Sequence, residues 1–309
     1  MSQGIEVAKS ILPVVIMLAV GMIFRKKKLI SREGIDGLKN VAVNVALPAV
    51  MLNAFATMTY TLDNIVITVL MFAVCLAAWF LGKVLGKALR LESPFVAFLT
   101  TGFEAGMLGY ALYTMLYGAD SIGTFACIDL GQVLFVFTLY KILIGVNKSE
   151  KTSAGQLAAD MIHSPTVIAI LAGILLGATG LYEALQPSGI SGLIDACTDF
   201  ISAPTSAIIL LTIGYDLVLG DIPWLSAMKT VGLRIGILLV LRVLLGTVFG
   251  ALGFGDTFNH ALNVMFILPP PYVLPVFADD ENQRTYISSA ISVSTIAAMI
   301  GFVVLAVLA

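Results

Sequence analysis

Charge is what this sequence has least of. Only 12% of its 309 residues are Asp, Glu, Lys or Arg, about half the roughly 25% of an ordinary soluble domain. So few charged side chains cannot cover a water-facing surface, which excludes a soluble globular enzyme and a disordered chain alike. A basic excess is also missing. Lys and Arg number 17 against 19 Asp and Glu, a formal net charge of −2, so nothing is in surplus to neutralise nucleic-acid phosphates. Histidine is down to 2 and cysteine to 3. Cys75, Cys127 and Cys197 are odd in number and lie in apolar stretches, so neither a disulfide framework nor a metal site follows. Metalloprotease, P-loop and dinucleotide-binding motifs are absent too, so no catalytic activity, ATP-driven pumping or organic cofactor is expected.

What abounds is apolar length. Hydrophobic residues make up 59% of the chain, and the mean hydropathy is +1.00. A membrane helix needs about 20 apolar residues, so at roughly 30 per helix and loop there is room for about ten spans. Apolar stretches fall at 10–25, 38–57, 64–88, 94–117, 121–144, 164–182, 193–217, 228–251, 258–278 and 286–308. The expected fold is an all-α polytopic protein of ten transmembrane helices in a plasma or inner membrane. The first stretch is followed by Arg25-Lys26-Lys27-Lys28, whereas a signal peptide carries its charge before the apolar region. It reads as a retained helix.

Basic residues set the orientation. Of the 17 Lys and Arg, all but Lys9 and Arg242 flank the odd-numbered joins. These are Arg25, Lys26, Lys27, Lys28, Arg32 and Lys39, then Lys83, Lys87 and Arg90, then Lys141, Lys148 and Lys151, then Lys229 and Arg234, and last Arg284. Cytoplasmic loops carry the Lys/Arg excess, so the odd joins are expected inside and both termini outside.

The two halves also echo one another. Leu12-Pro13-Val14-Val15-Ile16 is matched by Ser164-Pro165-Thr166-Val167-Ile168, and Leu47-Pro48-Ala49 by Ala203-Pro204-Thr205. Leu81-Gly82-Lys83-Val84-Leu85-Gly86 is matched by Leu245-Gly246-Thr247-Val248-Phe249-Gly250, with the lysine lost from the copy that ends outside. Five helices per half is an odd number, so the second copy is inverted. The Gly-xxx-Gly pair in each copy is expected to let helices approach closely. The organisation follows as a first five-helix repeat over 1–145, a cytoplasmic linker over 146–160 and an inverted repeat over 161–309.

The fourth and ninth stretches are interrupted at matched places. Glu104-Ala105-Gly106-Met107-Leu108-Gly109 falls opposite Leu268-Pro269-Pro270-Pro271-Tyr272. Three successive prolines cannot continue an α-helix, and free backbone at membrane depth survives only inside protein or against a wet cavity. Broken helices at corresponding positions of two inverted halves point to a transporter's substrate site; the plainer reading is a pair of kinked helices.

Several polar residues gather around these breaks. Glu104 is a carboxylate within an apolar span, which costs about 2.5–3.5 kcal/mol to insert and so marks a functional position by default. Apolar burial favours a neutral carboxyl, making Glu104 a candidate proton carrier; alternatively, backbone N–H groups of the broken helix cap it. Asp129 and Gln132, three apart, share a helix face, as do Ser288, Ser292 and Thr295. Oxygens of Asp129, Gln132 and Ser292 could hold Na⁺, or Asp129 could carry a proton alone, though Ser and Thr often only bond their own helix. Asn44 precedes Pro48 by four, so it either lines a cavity or satisfies the carbonyl freed by that proline. Asn53 reads as structural, Asp195 and Asp199 as a solvated face, and His163 and His260 as helix starts near water. Asp216 and Asp256 superficially match an intramembrane aspartyl protease, but the topology sets them on opposite sides of about 30 Å of hydrocarbon.

With these residues in place, the chain resembles the auxin efflux carrier family of membrane transporters, in its bacterial form, over essentially its whole length. The most specific pieces are Leu29-Ile30-Ser31, Asn44-Val45-Ala46-Leu47-Pro48-Ala49, the glycine break and the proline break. The resemblance implies two inverted five-helix repeats whose fourth and ninth helices cross at their breaks, with a scaffold and a panel moving against each other. It implies a small organic anion as cargo: a carboxylate such as malate or malonate, or an auxin-like acid. The substrate would meet Asn44, Glu104, Gly106, Gly109, Pro269, Pro270, Pro271 and Tyr272, with coupling to H⁺ or Na⁺ by symport and a homodimer as the assembly. Two positions depart from the pattern: Glu104 stands where the family commonly has asparagine, and Pro271-Tyr272 where a small residue usually follows the proline pair. The expected function is a secondary transporter working by alternating access. Rival readings are a channel or ligand-sensing protein on the same scaffold, and a carrier of a cationic or zwitterionic solute.

Overall fold

The computed structural model describes residues 3–58, 60–91, 93–140, 142–144, 164–216, 224–272, 274–278 and 280–308, and among these there are helices and no strands. His163 and the 146–160 linker lie outside the described residues. In chain order the helices are α1 (Gln3–Lys26), α2 (Arg32–Ala56), α3 (Leu62–Ala88), α4 (Val96–Leu99), α5 (Tyr110–Tyr117), α6 (Ile122–Phe135), α7 (Pro165–Ala178), α8 (Leu181–Ala184), α9 (Ile190–Ser202), α10 (Thr205–Asp216), α11 (Trp224–Ala251), α12 (Asp256–Ile267) and α13 (Glu281–Leu308). Six helical runs of the described residues are long and apolar enough to cross a membrane: Arg32–Ala56, Leu62–Ala88, Ile122–Ile144, Ile190–Tyr215, Trp224–Ala251 and Asn282–Leu308. Their outer faces are apolar too: Leu62, Val69, Leu239, Ile300 and Phe200 are exposed. Such a surface is a liability in water and ordinary against lipid.

The chain folds as two compact units, each assembled from separated segments: 1–65, 106–127 and 153–217 in the first, and 66–105, 128–152 and 218–309 in the second. In the first, α1 packs along α10, and α2 packs on α7 and α9. Small residues allow this. A Cβ on Gly214 would stand 2.2 Å from the Leu18 carbonyl oxygen, so only glycine permits that approach. Leu18, Leu47, Phe55, Ile209 and Leu210 fill the interior. Asn53 Nδ2 donates to Thr198 Oγ1 at 3.1 Å, tying α2 to α9, and the Tyr182 hydroxyl donates to Asp195 Oδ1 at 2.6 Å.

Pro48 leaves its mark on α2. The turn before it, Ala42–Ala46, is widened to a π-helix, and the Leu47 N–H reaches back to the Ala42 carbonyl. A proline removes one i→i−4 donor, and the widened turn takes up the lost register. Pro204, at the matched place in the second half, separates α9 from α10.

The second unit packs α11 against α12 and α13, with α4 on α11 and α13. Met71, Cys75, Phe98, Phe103, Phe249, Leu262 and Phe302 are buried in it. One expectation about glycines fails here. A Cβ on Gly82 or Gly86 would run into Thr100 or Val96, so that pair does carry a close approach, but a Cβ on Gly250 would meet nothing within 4 Å. Gly250 faces open space, while a Cβ on Gly246 would stand 2.3 Å from Arg242 Nη1, so within this chain the second pair does not bring another helix against Gly250.

Candidate functional site

Both interrupted helices leave backbone without helical partners, and buried N–H and C=O groups must find others. In the second unit the first interruption follows α4, where Thr101 to Glu104 are non-helical. Gly102 has φ +67, a conformation that strains any residue with a Cβ. The second follows α12, where Leu268 turns extended (φ −63, ψ 147) and Pro269, Pro270 and Pro271 prevent any return to the helix. All three prolines are buried.

The two breaks satisfy one another. The Glu104 N–H donates to the Pro269 carbonyl at 2.9 Å, and the Tyr272 N–H donates to Glu104 Oε2 at 2.6 Å. Backbone and side chain of one residue thus close both ends of the proline segment. Phe103 N–H donates to Gln132 Oε1 at 3.3 Å, and Gln132 Nε2 donates to Asp129 Oδ1 at 3.1 Å. Asp129 is buried at 1% exposure and Gln132 at 5%. The helix-face pairing of Asp129 and Gln132 is therefore real, and it ends on the broken backbone. The Tyr272 and Thr295 hydroxyls are hydrogen-bonded at 3.0 Å, and Thr295 also donates to its own helix at the Ile291 carbonyl, 2.9 Å away. Ser292 is buried and Ser288 half-buried on the same helix.

The carbonyls go to a residue that sequence reasoning misplaced. Arg234 was expected beside a cytoplasmic join. It is 3% exposed in the interior of α11. Its Nη1 donates to the carbonyls of Leu99 at 3.0 Å and Thr101 at 3.3 Å, and its Nη2 to those of Gly102 at 2.7 Å and Leu268 at 2.9 Å. Its guanidinium carbon lies 5.3 Å from the centre of the Phe103 ring. One planar cation thus caps the C-terminal ends of both α4 and α12, where helix dipoles favour positive charge. The cause was the grouping of basic residues by nearness to a join: Arg234 already lay inside the 228–251 stretch, and α11 begins a full turn earlier still, at Trp224. An arginine inside an apolar run was the signal available.

Asn44, Gly106 and Gly109 belong to the first unit and His260 to the second. Asn44 lies in the widened turn before Pro48 and is exposed there. Gly106 and Gly109 lie in a second π-helical turn, Ala105–Gly109, which leads into α5. A Cβ on Gly106 would come within 3.3 Å of Leu47 Cδ2, so this turn rests on α2 next to Pro48. His260 is exposed near the start of α12. No group of three or more His, Cys, Asp or Glu able to hold a metal occurs among the described residues.

Six helices long and apolar enough to span, with two interrupted helices stitched together through polar groups, mark a multi-pass membrane protein. A family profile described as "membrane transport protein" matches residues 6–306. The chain belongs to this family, that of the auxin efflux carriers. Among curated proteins, none matches it.

Proposed function

We propose that the protein is a secondary active transporter that moves a small organic anion by ion-coupled alternating access. The observation that carries this reading is the mutual satisfaction of the two breaks, in which Glu104 accepts the Tyr272 N–H and donates its own N–H to Pro269. A solute carrier needs a polar site at membrane depth built on broken helices, and we assign that role to these two segments. The proposal includes ten spans in two inverted five-helix repeats, odd joins inside and both termini outside. Substrate contacts fall to Glu104, Pro269, Pro270, Pro271, Tyr272, Asn44, Gly106 and Gly109. Ion coupling falls to Glu104 and Asp129, with Gln132, Ser288, Ser292 and Thr295 as supporting oxygens.

An anion beside an ionised Glu104 would be repelled. At an effective dielectric near 20, two unit charges about 4 Å apart interact by roughly 4 kcal/mol, almost three decades of affinity. Protonation of Glu104 on substrate binding removes the conflict and makes H⁺ the coupled ion; Na⁺ near Asp129 is the other way to neutralise it. Flux of radiolabelled malate and malonate into proteoliposomes tests the reading, with a proton or a sodium gradient imposed separately. Uphill accumulation driven by one of the two gradients is the expected result. Purely downhill conductance, indifferent to both, would make the protein a channel instead.

A further inference from the structure

The C-terminal end of α3 carries three cations along one side. Lys83, Lys87 and Arg90 follow at spacings of four and three, which places them on one helix face. A groove of about 560 Å³ opens beside them, and Trp79, Ser93 and Phe98 also line it. No acidic residue is among its described lining. Its floor is shallow because α4 lies directly on glycine: a Cβ on Gly86 would stand 2.7 Å from Val96 Cγ1.

Two further features mark this groove as built. The Trp79 indole N–H is shielded from solvent and has no hydrogen-bond partner, although buried donors are almost always paired. Lys83 Nζ lies 5.1 Å from the centre of the same ring. Arg90 in turn has φ +56. Its N–H bonds the Lys87 carbonyl at 3.2 Å and the Leu91 N–H bonds the Gly86 carbonyl at 2.9 Å, a helix closure whose left-handed position glycine ordinarily fills. Here a strained arginine takes the place, and strain of this kind gathers at ligand clamps.

Between the cations, Val84, Leu85 and Leu89 are exposed and apolar. A ligand seated here would have phosphate oxygens among the cationic heads and hydrocarbon along the neighbouring helix face. We propose that the groove binds the headgroup phosphate of an anionic glycerophospholipid. Lys83, Lys87 and Arg90 supply the charge, and the Trp79 N–H, shielded and unpartnered in the groove, donates to a phosphate oxygen when the ring turns toward the bound headgroup. Basic pockets at the ends of membrane helices bind anionic headgroups in this way.

The test uses the full-length protein in phosphatidylcholine nanodiscs titrated with phosphatidylglycerol of matched acyl chains, read by native mass spectrometry and by melting temperature. The wild type is expected to retain one phosphatidylglycerol and to melt higher as that lipid is added. Replacing Lys83, Lys87 and Arg90 together by glutamine should weaken retention about a hundredfold. The matched triple change Lys26→Gln, Lys27→Gln and Lys28→Gln should leave it intact. Trp79→Phe keeps the ring and removes only the N–H, so it should weaken retention several-fold with all charges in place. Arg90→Gly relieves the backbone strain, so it should raise the melting temperature in phosphatidylcholine alone while lowering lipid affinity. Equal losses in the two triple variants would reduce the effect to surface charge and overturn the proposal. Competition by millimolar inorganic phosphate would overturn it as well, in favour of a free-anion site.

Discussion

Glu104 Oε2 accepts the backbone N–H of Tyr272 at 2.6 Å. An ionisable side chain of one interrupted helix therefore completes the backbone of the other, and its protonation state bears on that joint directly. Glutamine retains an acceptor oxygen but no charge. Glu104→Gln should therefore keep the fold and substrate binding while losing ion dependence. Under proton coupling, binding of malate or malonate to the wild type should be tighter at lower pH and binding to the variant should be flat, as read by isothermal titration calorimetry. Abolished binding in Glu104→Gln would instead mean that the charge attracts a cationic or zwitterionic solute. Glu104→Ala leaves the Tyr272 N–H without this acceptor and should cost about 1–3 kcal/mol of stability.

Arg234 should be among the least replaceable residues of the second unit. Hydrogen bonds to charged groups are worth about 1.5–3 kcal/mol each, and this guanidinium makes four to carbonyls. Arg234→Met should cost at least about 3 kcal/mol. Arg234→Lys keeps the charge but loses the planar fork, so it should fall well short of rescue. Tryptophan-fluorescence melting in detergent measures both. A wild-type melt for Arg234→Lys would show that charge alone is sufficient there.

The proline segment should tolerate little. A Cβ on Gly102 would stand 3.0 Å from Pro271 Cγ, in a left-handed backbone at φ +67. Gly102→Ala should therefore cost about 1–2 kcal/mol from backbone strain and push the two breaks apart. Replacing Pro270 and Pro271 together by alanine restores two N–H groups and lets α12 extend through its break. Transport should drop steeply while expression persists; full activity in the double variant would remove the proline break from the site.

Topology is open to a direct check. Cysteine at Ser188, or at the C-terminal Ala309, should label from outside intact cells with an impermeant thiol reagent, and cysteine at Lys148 should not. Of the native thiols, Cys197 is exposed whereas Cys75 and Cys127 are buried, so Cys197→Ala is the background. Ser188 is preferred to Gly189, whose φ of +76 would strain a cysteine. Outside labelling at position 148 would overturn the charge-based orientation and the inverted repeat with it.

What could be read from the sequence was whatever depends on neighbours along the chain. Apolar length marked the spanning helices, glycines and prolines marked the breaks, and the i, i+3 relation of Asp129 and Gln132 held. What could not be read was which group satisfies which break. Gly102 and Arg234 are 132 residues apart, and no local pattern pairs a carbonyl with a distant guanidinium. The charge rule that ordered the loops also counted Arg234 as flanking a join, because counting basic residues by sequence position cannot separate a flanking cation from one a few turns inside a helix. Gly250 was overread for the opposite reason: matched spacing in two copies does not require matched neighbours.

Synthesis order gives the buried arginine one more meaning. Leu99, Thr101 and Gly102 precede Arg234 along the chain, and only Leu268 follows it. When α11 leaves the ribosome, three of the four carbonyls that receive its cation are already made. A charged residue at the centre of a helix resists insertion by about 2.5–3.5 kcal/mol. Insertion of α11 would therefore find most of the acceptors for its cation already synthesised, and α12 adds only the last one.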